Sequence, residues 1–290
     1  MPSEKRQRKK QGREIRLAEQ RALEAKARLK RRIVAAAAVA VLVVLVALLS
    51  TRGGDDTDVA AGSTTTTTST TATTAAGGEG PPKGEPVPAG AKLDKWTCPK
   101  ADGTSPRTDQ FPAEPPPRCI DPAKTLVAKV TTSEGVMEYT LDSGRTPVTA
   151  NNFAVLSRYH YYDGTVITRI ADTIDIFQTG SPRTQTITDP GPGYTLPDEG
   201  TDFTYSEGDV VMARSSAGSS AGQYFVVVGP KAAGLDSDGS YIAFAKVTSG
   251  LDVAKKIFAL FQPCAVGDQE CLGGAPSKLV TISKVEITER

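Results

Sequence analysis

His160 is the only histidine in this 290-residue chain, so any triad, proton shuttle or imidazole-based metal site would have to use that one side chain. Cys98, Cys119, Cys264 and Cys271 have neither the paired C-x-x-C spacing of a zinc site nor the C-x-x-C of a redox motif. Gly218-Ser219-Ser220-Ala221-Gly222 matches G-x-S-x-G, the nucleophile elbow of serine hydrolases. That elbow needs a strand–turn–helix setting and a later acid and histidine. Here Gln223–Val228 has strand character and no histidine follows position 160, so the pentapeptide reads as a Gly/Ser-rich loop. These residue types leave no obvious metalloenzyme or serine-hydrolase chemistry, and neither a metal nor a cofactor is expected.

The chain that must position any site falls into unlike segments. Residues 1–32 carry thirteen Lys/Arg against four Glu, a local charge of +9, while the remaining 258 hold 21 basic and 29 acidic side chains, or −8. From Ile33 to Thr51 there is no charge. Nineteen helical residues span about 28 Å, close to the hydrocarbon thickness of a bilayer. A cleavable signal peptide would have a shorter apolar stretch and a small-residue cleavage site, and Leu49-Ser50-Thr51-Arg52 offers no A-x-A pattern. Residues 33–51 therefore read as a single transmembrane helix. The Lys/Arg excess places residues 1–32 in the cytoplasm as a basic arm and the rest of the chain outside. That arm has no aromatic residue to stack on a base and no zinc or helix-turn-helix signature, so it reads as a topology signal lying against anionic headgroups rather than a nucleic-acid binder.

Residues 52–95, rich in Thr, Gly and Pro, cannot bury enough apolar surface to offset their ordering entropy and read as a disordered tether. A pre-domain segment, 96–119, is bounded by cysteines. All four cysteines lie beyond the apolar run, where disulfides persist, and three connectivities are possible. Cys98–Cys119 with Cys264–Cys271 is favoured, because each pair closes a short loop rich in Pro, Gly or Asp.

The folded unit is expected over 120–290. Thr125–Thr132 and Val136–Leu141 form a hairpin pattern, and Pro147–Tyr159 has helical periodicity with Pro near its start. Further strands are expected at Thr165–Ile170, Ile174–Thr179, Asp209–Ala213, Gln223–Val228, Tyr241–Val247 and Leu279–Thr288, with a second helix at Asp252–Leu260. Many short strands with Gly/Pro turns and two isolated helices point to a mainly-β, closed antiparallel barrel.

A series of fragments adds a resemblance. Asn152-Phe153 with Leu156, Tyr162-Asp163-Gly164, Thr168-Arg169, Gln178-Thr179-Gly180-Ser181-Pro182, Gly193-Tyr194 and Asp198-Glu199 come first. Met212-Ala213, Gln223-Tyr224-Phe225, Leu235-Asp236, Phe244 and Lys246-Val247 follow. In this order and spacing they resemble the cyclophilin family of peptidyl-prolyl isomerases, from about Leu126 to the C-terminus. The resemblance implies an eight-stranded barrel with a helix at each open end and a substrate groove on its outside. It implies Arg169 as the catalytic arginine, with Gln178 and Gln223 orienting the peptide backbone. Phe225, Ile176 and Leu235 would line the proline pocket with Ala213 beside it. Arg214 and Tyr241 stand where the family has Asn and a pocket His. Other departures are Ile167 and Thr168 for Phe-His, and Gly234 for a frequent Trp, which predicts poor binding of cyclosporin-type inhibitors. Asp175 falls at a pocket Phe, with Ile174 next to it. An acid there would pair with Arg214 or compete for Arg169.

The chemistry suits these residue types. Rotation about an X–Pro bond is slow because the amide has double-bond character, with a barrier of about 20 kcal/mol. A guanidinium, always charged and with donors in a fixed fork, stabilises a pyramidal prolyl nitrogen and so removes that resonance. Apolar walls hold the ring, and no proton transfer or covalent intermediate is needed. The sequence thus points to an isomerase acting on proline-containing polypeptides among exported or envelope proteins, anchored in the bilayer by one helix. The alternative is a catalytically weak, tethered peptide-binding scaffold of the same fold.

Overall fold

The computed structural model describes residues 80–215, 218–265, 268 and 271–290. The basic arm, the apolar run 33–51 and the tether up to residue 79 lie outside the described residues. Among the described residues no helix is long and apolar enough to cross a membrane.

Among the described residues thirteen strands and two α-helices follow in chain order. They are β1 (Ala91–Lys92), β2 (Thr108–Gln110), β3 (Leu126–Thr132), β4 (Gly135–Leu141), α1 (Pro147–Arg158), β5 (Arg169–Ala171), β6 (Ile176–Thr179), β7 (Thr195–Leu196), β8 (Asp209–Ser215), β9 (Gly218–Val227), β10 (Ala243–Ser249), α2 (Leu251–Phe258), β11 (Phe261–Pro263), β12 (Gly274–Pro276) and β13 (Ile282–Glu289). A short 3₁₀ turn, Pro230–Leu235, lies between β9 and β10. On β4 the alternation is clean: Met137, Tyr139 and Leu141 are buried while their neighbours are not. Its partner β3 turns Leu126, Ala128 and Val130 inward, opposite them. The inward rings of Tyr139, Phe153, Tyr162, Tyr224 and Phe244 meet in the core, Phe153 against Tyr224 edge-on at 5.4 Å and Tyr162 against Tyr224 at 5.6 Å.

Helix α1 is started by a residue far along the chain. Pro147 occupies its first turn, where the missing N–H costs nothing, and Thr146 makes no side-chain cap bond. Instead the Glu199 carboxylate accepts hydrogen bonds from the backbone N–H groups of Val148 and Thr149, both at 2.7 Å, and from the Thr149 hydroxyl at 2.6 Å. A negative charge satisfying unpaired N–H groups at the positive end of the helix is stabilising on both counts. Asn152, buried in α1, donates to Ala221 O at 2.7 Å and accepts from Tyr194 Oη at 2.6 Å, tying the helix to β9. Past the helix C-terminus, His160 takes a left-handed φ of 57° and its ring bonds Asp163 at 2.8 Å and Gly103 O at 3.0 Å. The only histidine is structural.

The main sheet runs β11-β12-β5-β6-β9-β8-β10-β4-β3-β13, with β7 beside β9. This corrects the expected closed eight-stranded barrel, because the ladder order is open. Between β13 and the chain ahead of β5 lie one bridge, Val166–Thr281, and isolated backbone bonds such as Ile167 N to Val280 O at 2.9 Å. The expected strand Thr165–Ile170 cannot form a full ladder there. Its Val166 N–H is spent on the Gln185 side-chain oxygen at 3.0 Å, and Thr165 Oγ1 turns back to Tyr162 O at 2.7 Å. The G-x-S-x-G pentapeptide opens β9 as strand rather than loop, so that strand begins earlier than expected.

A second correction concerns the chain before Ile120. Residues 80–95 were expected in the tether, yet they are bonded to the segment 96–119 and to the domain. Val87 N donates to Pro182 O at 3.0 Å, Gly90 N to Asp109 Oδ2 at 2.7 Å, and β1 pairs in parallel with β2. Phe111 is buried, stacked on Trp96 at 5.1 Å, and Trp96 meets Tyr194 edge-on at 5.8 Å. Composition could not reveal this, because the hydrogen-bond partners that order the segment lie further along the chain, in 96–119 and in the domain. Both expected disulfides, Cys98–Cys119 and Cys264–Cys271, are present.

Candidate active site

The register of three neighbouring strands assembles the site. Arg169 on β5 lies opposite Gln178 on β6, and Gln178 lies opposite Phe225 on β9. The period of two puts Ile176 with Gln178, and Gln223 with Phe225, on one face of the sheet. Gly180 lets β6 and β9 approach, since it holds φ 95° and a Cβ there would collide with Gly222 O.

A hydrogen-bonded chain crosses that face. Arg169 Nη1 donates to Gln178 Oε1 at 3.3 Å, and Gln178 Nε2 donates to Gln223 Oε1 at 2.8 Å. Gln223 Nε2 in turn donates to the carbonyls of Ile187 and Asp189, both at 3.3 Å. Arg169 Nε donates to Leu272 O at 3.0 Å. Burial pulls the Arg169 guanidinium below its ordinary pKa, with Tyr241 opposing, but from so high a starting value it stays charged at neutral pH.

Beside the guanidinium is a groove of ≈ 210 Å³. Its walls are Arg169, Ile174, Ile176, Gln178, Ile187, Ala213, Arg214, Phe225, Leu235, Tyr241 and Leu272. Gln223 lies in the adjoining cleft of ≈ 390 Å³, which shares Gln178, Ile187, Ala213 and Arg214 with the groove. Every binding residue expected from the sequence is thus in one place. The Phe225 ring meets Tyr241 edge-on at 5.9 Å. Tyr241 is held by Tyr205, whose hydroxyl donates to Tyr241 O and accepts from Tyr241 N, both at 2.9 Å. Burial pushes that hydroxyl's pKa up to about 12, so it remains a neutral donor.

Asp175 is not in the groove, which corrects the expectation that an acid would sit in the proline pocket. It adopts φ 50° in the β5–β6 turn, and this left-handed residue takes its side chain off the strand's alternation. Its carboxylate accepts from Lys231 N at 3.0 Å and pairs with Lys231 Nζ at 3.0 Å. Ile174 lines the groove in its stead. Arg214 likewise pairs not with Asp175 but with Asp198, including Nη2 to Oδ2 at 3.2 Å, and with Ser219 Oγ at 3.3 Å. Thr168 turns both its N–H and its hydroxyl to Gln178 O, at 2.9 and 3.3 Å. At Gly234 an added Cβ would meet open space. The sequence reading missed Ile187 and Leu272. Neither carries a signal of its own, since one sits in a Thr-rich loop and the other just after Cys271, where only the folded chain brings it back to β5.

Residues 127–287 match the family model described as cyclophilin type peptidyl-prolyl cis-trans isomerase/CLD. The chain is 33% identical over 124 residues to peptidyl-prolyl cis-trans isomerase B of Bacillus subtilis (strain 168), covering 42% of this chain and 82% of that protein. It is 32% identical over 167 residues to peptidyl-prolyl cis-trans isomerase A of Dickeya dadantii (strain 3937), covering 56% and 84%. A crystal structure of a Cryptosporidium parvum cyclophilin type peptidyl-prolyl cis-trans isomerase aligns with a TM-score of 0.47 at 21% identity, covering 57% of this chain and 99% of that one. The chain belongs to the cyclophilin-type peptidyl-prolyl cis–trans isomerase family, and its enzyme class is that of the family.

Proposed function

We propose that the protein catalyses cis–trans isomerisation of X–Pro bonds in exported or cell-envelope polypeptides, from a domain anchored outside the membrane by its N-terminal apolar run. The observation that carries the catalytic reading is the chain Arg169–Gln178–Gln223 running beside an apolar wall of Ile176, Phe225 and Leu235. Proline's ring packs on the wall, the glutamine amides hold the flanking backbone, and the Arg169 guanidinium stabilises the prolyl nitrogen as it pyramidalises. The amide then loses resonance and rotates without any bond to the protein. The outward location draws support from the two disulfides and from the basic residues ahead of the apolar run.

A protease-coupled assay on a series of X–Pro peptides tests the catalysis. Acceleration well above the thermal rate is expected, whereas peptide binding with no acceleration would favour a scaffold. Protease added to intact cells tests the location by releasing a soluble C-terminal fragment. Protection until lysis would invert the topology.

A further inference from the structure

We propose that the Cys264–Cys271 disulfide is a positioning device for Arg169. By fixing Leu272 it holds the carbonyl that orients the guanidinium, so the isomerase works at full rate only in its oxidised form. The inference rests on the isomerase reading above.

Arginine is a long, rotatable side chain, and a catalytic guanidinium must present its fork at one angle. Two contacts set that angle here. One is Gln178, which is itself a substrate-facing amide bonded at 3.3 Å. The other, shorter contact is Leu272 O at 3.0 Å from Nε, supplied by the C-terminal chain rather than by the sheet face that binds substrate. What fixes Leu272 therefore fixes Arg169. On its C-terminal side Leu272 is followed by Gly273, at φ 86°, and then by Gly274 of β12, which pairs with Ile170, the neighbour of Arg169. On its N-terminal side it is bonded directly to Cys271, and the disulfide ties that residue to Cys264, which follows β11 at once. Cys264 N also donates to Gly273 O at 3.3 Å, so bridge and backbone clasp Leu272 between them. Asp268, between the two cysteines, pairs with Lys83 Nζ at 3.2 Å and adds a tie to the chain ahead of the domain. Leu272 is 55% exposed and forms part of the groove wall, where a bound peptide would meet it.

Reduction removes one half of the clasp. A dithiol supplies two electrons and two protons, the Sγ–Sγ bond breaks to give two thiols, and the dithiol closes to its own disulfide. The pairing of β11 with β12 survives, so the fold persists while Leu272 O and the guanidinium lose their fixed relation.

The test measures kcat and KM on an X–Pro peptide for the full-length protein in four forms: wild type, Cys264→Ser with Cys271→Ser, Arg169→Lys, and the triple variant. Removing the bridge from wild type should lower kcat about tenfold with KM little changed. In the Arg169→Lys background, where Nε–H is absent, the same removal should cost under about twofold. Cys98→Ser with Cys119→Ser, remote from the groove, should leave kcat unchanged. Equal losses in both arginine backgrounds would make the bridge a general structural element and overturn the proposal, as would no loss in wild type. The Arg169 Nε–H resonance, assigned by its disappearance in Arg169→Lys, should be protected from solvent exchange in oxidised wild type and lose protection with dithiol. Equal protection in both states also overturns the proposal, and this readout stands if the cysteine variant fails to fold. A wild type without isomerase activity would remove the isomerase reading and the catalytic role claimed here with it. An active wild type unaffected by reduction would remove this inference alone.

Discussion

Arg169 combines partial burial with two hydrogen bonds, to Leu272 O and Gln178 Oε1, which spend two of its donors on orientation. If the guanidinium stabilises the pyramidal prolyl nitrogen, Arg169→Ala should lower kcat/KM by about 10²–10³, roughly 3–4 kcal/mol of transition-state stabilisation. Arg169→Lys should rescue little, because one ammonium cannot reproduce the fork. Melting temperature should hardly move in either variant, and kcat/KM of Arg169→Ala equal to wild type would reduce the site to a binding groove. Asp175 makes the opposite case. It is buried, left-handed and bonded twice to Lys231, and it is absent from the groove lining although its chain neighbours Ile174 and Ile176 are part of it. Asp175→Ala should therefore cost about 1–3 kcal/mol of stability, through a lost partner for Lys231 N and a strained φ, with kcat/KM within twofold of wild type. A large loss of kcat/KM at unchanged stability would return Asp175 to the site. Arg169, Gln178 and Phe225 were legible in the sequence through the ordered fragments that resemble the cyclophilin family, and the strand register then carries them to one face. Asp175 was misplaced because one left-handed residue in a turn breaks the strand alternation, and counting positions cannot see a dihedral angle.

At the scale of elements, the main sheet is held in place by contacts between distant parts of the chain. The β3–β4 hairpin is fastened to α2 and to the chain ahead of β13 through Glu134, which pairs with Lys256 at 3.0 Å and Lys278 at 2.6 Å. Hydrogen bonds from Lys278 and then Lys256 hold the Glu134 carboxyl below its ordinary pKa of 4.5. A depressed carboxylate adds stability that is present above the unfolded-state pKa and is lost as pH falls through the folded one. Glu134→Gln should thus melt a few degrees below wild type at neutral pH, no more, since the carboxylate is covered but both lysines are more than half exposed to solvent that screens the pairs. The gap should narrow as pH falls from about 5 through the lowered folded-state pKa, and a gap that does not narrow at all would assign the effect to packing instead. Elements with their own pattern, β3, β4, α1 and α2, were legible to within a residue or two. Strands β11 and β12 were not. Gly274-Ala275-Pro276 has no strand character of its own and is extended only because β5 and β11 flank it.

Across the molecule, the domain recognisable by family begins at 127, but the folded unit begins well before it. The segment 80–119 closes over the α1 side of the core. Thr108 N donates to Tyr159 O at 2.9 Å, Cys119 N to Asn151 Oδ1 at 2.8 Å, and Phe111 packs against Tyr159 at 5.6 Å. A chain beginning at residue 120 would expose the surface that Phe111 and Trp96 cover and would lose the Cys98–Cys119 crosslink. Burial of one large aromatic is worth about 1.5–3 kcal/mol, and the Cys98–Cys119 crosslink, lying wholly within the removed segment, contributes nothing to the chain that remains. The truncated chain should therefore melt about 5–10 °C below a chain beginning at residue 80, by calorimetry under oxidising conditions. Its groove residues come from β5, β6, β8 and β9 and the turns around them, so at low temperature kcat/KM should stay within a few-fold of the longer chain. Equal melting temperatures would make 80–119 a passive wrapping. Full loss of activity in a still-folded truncated chain would make that segment part of the site, reached through the Lys83–Asp268 pair and the loop that carries Leu272.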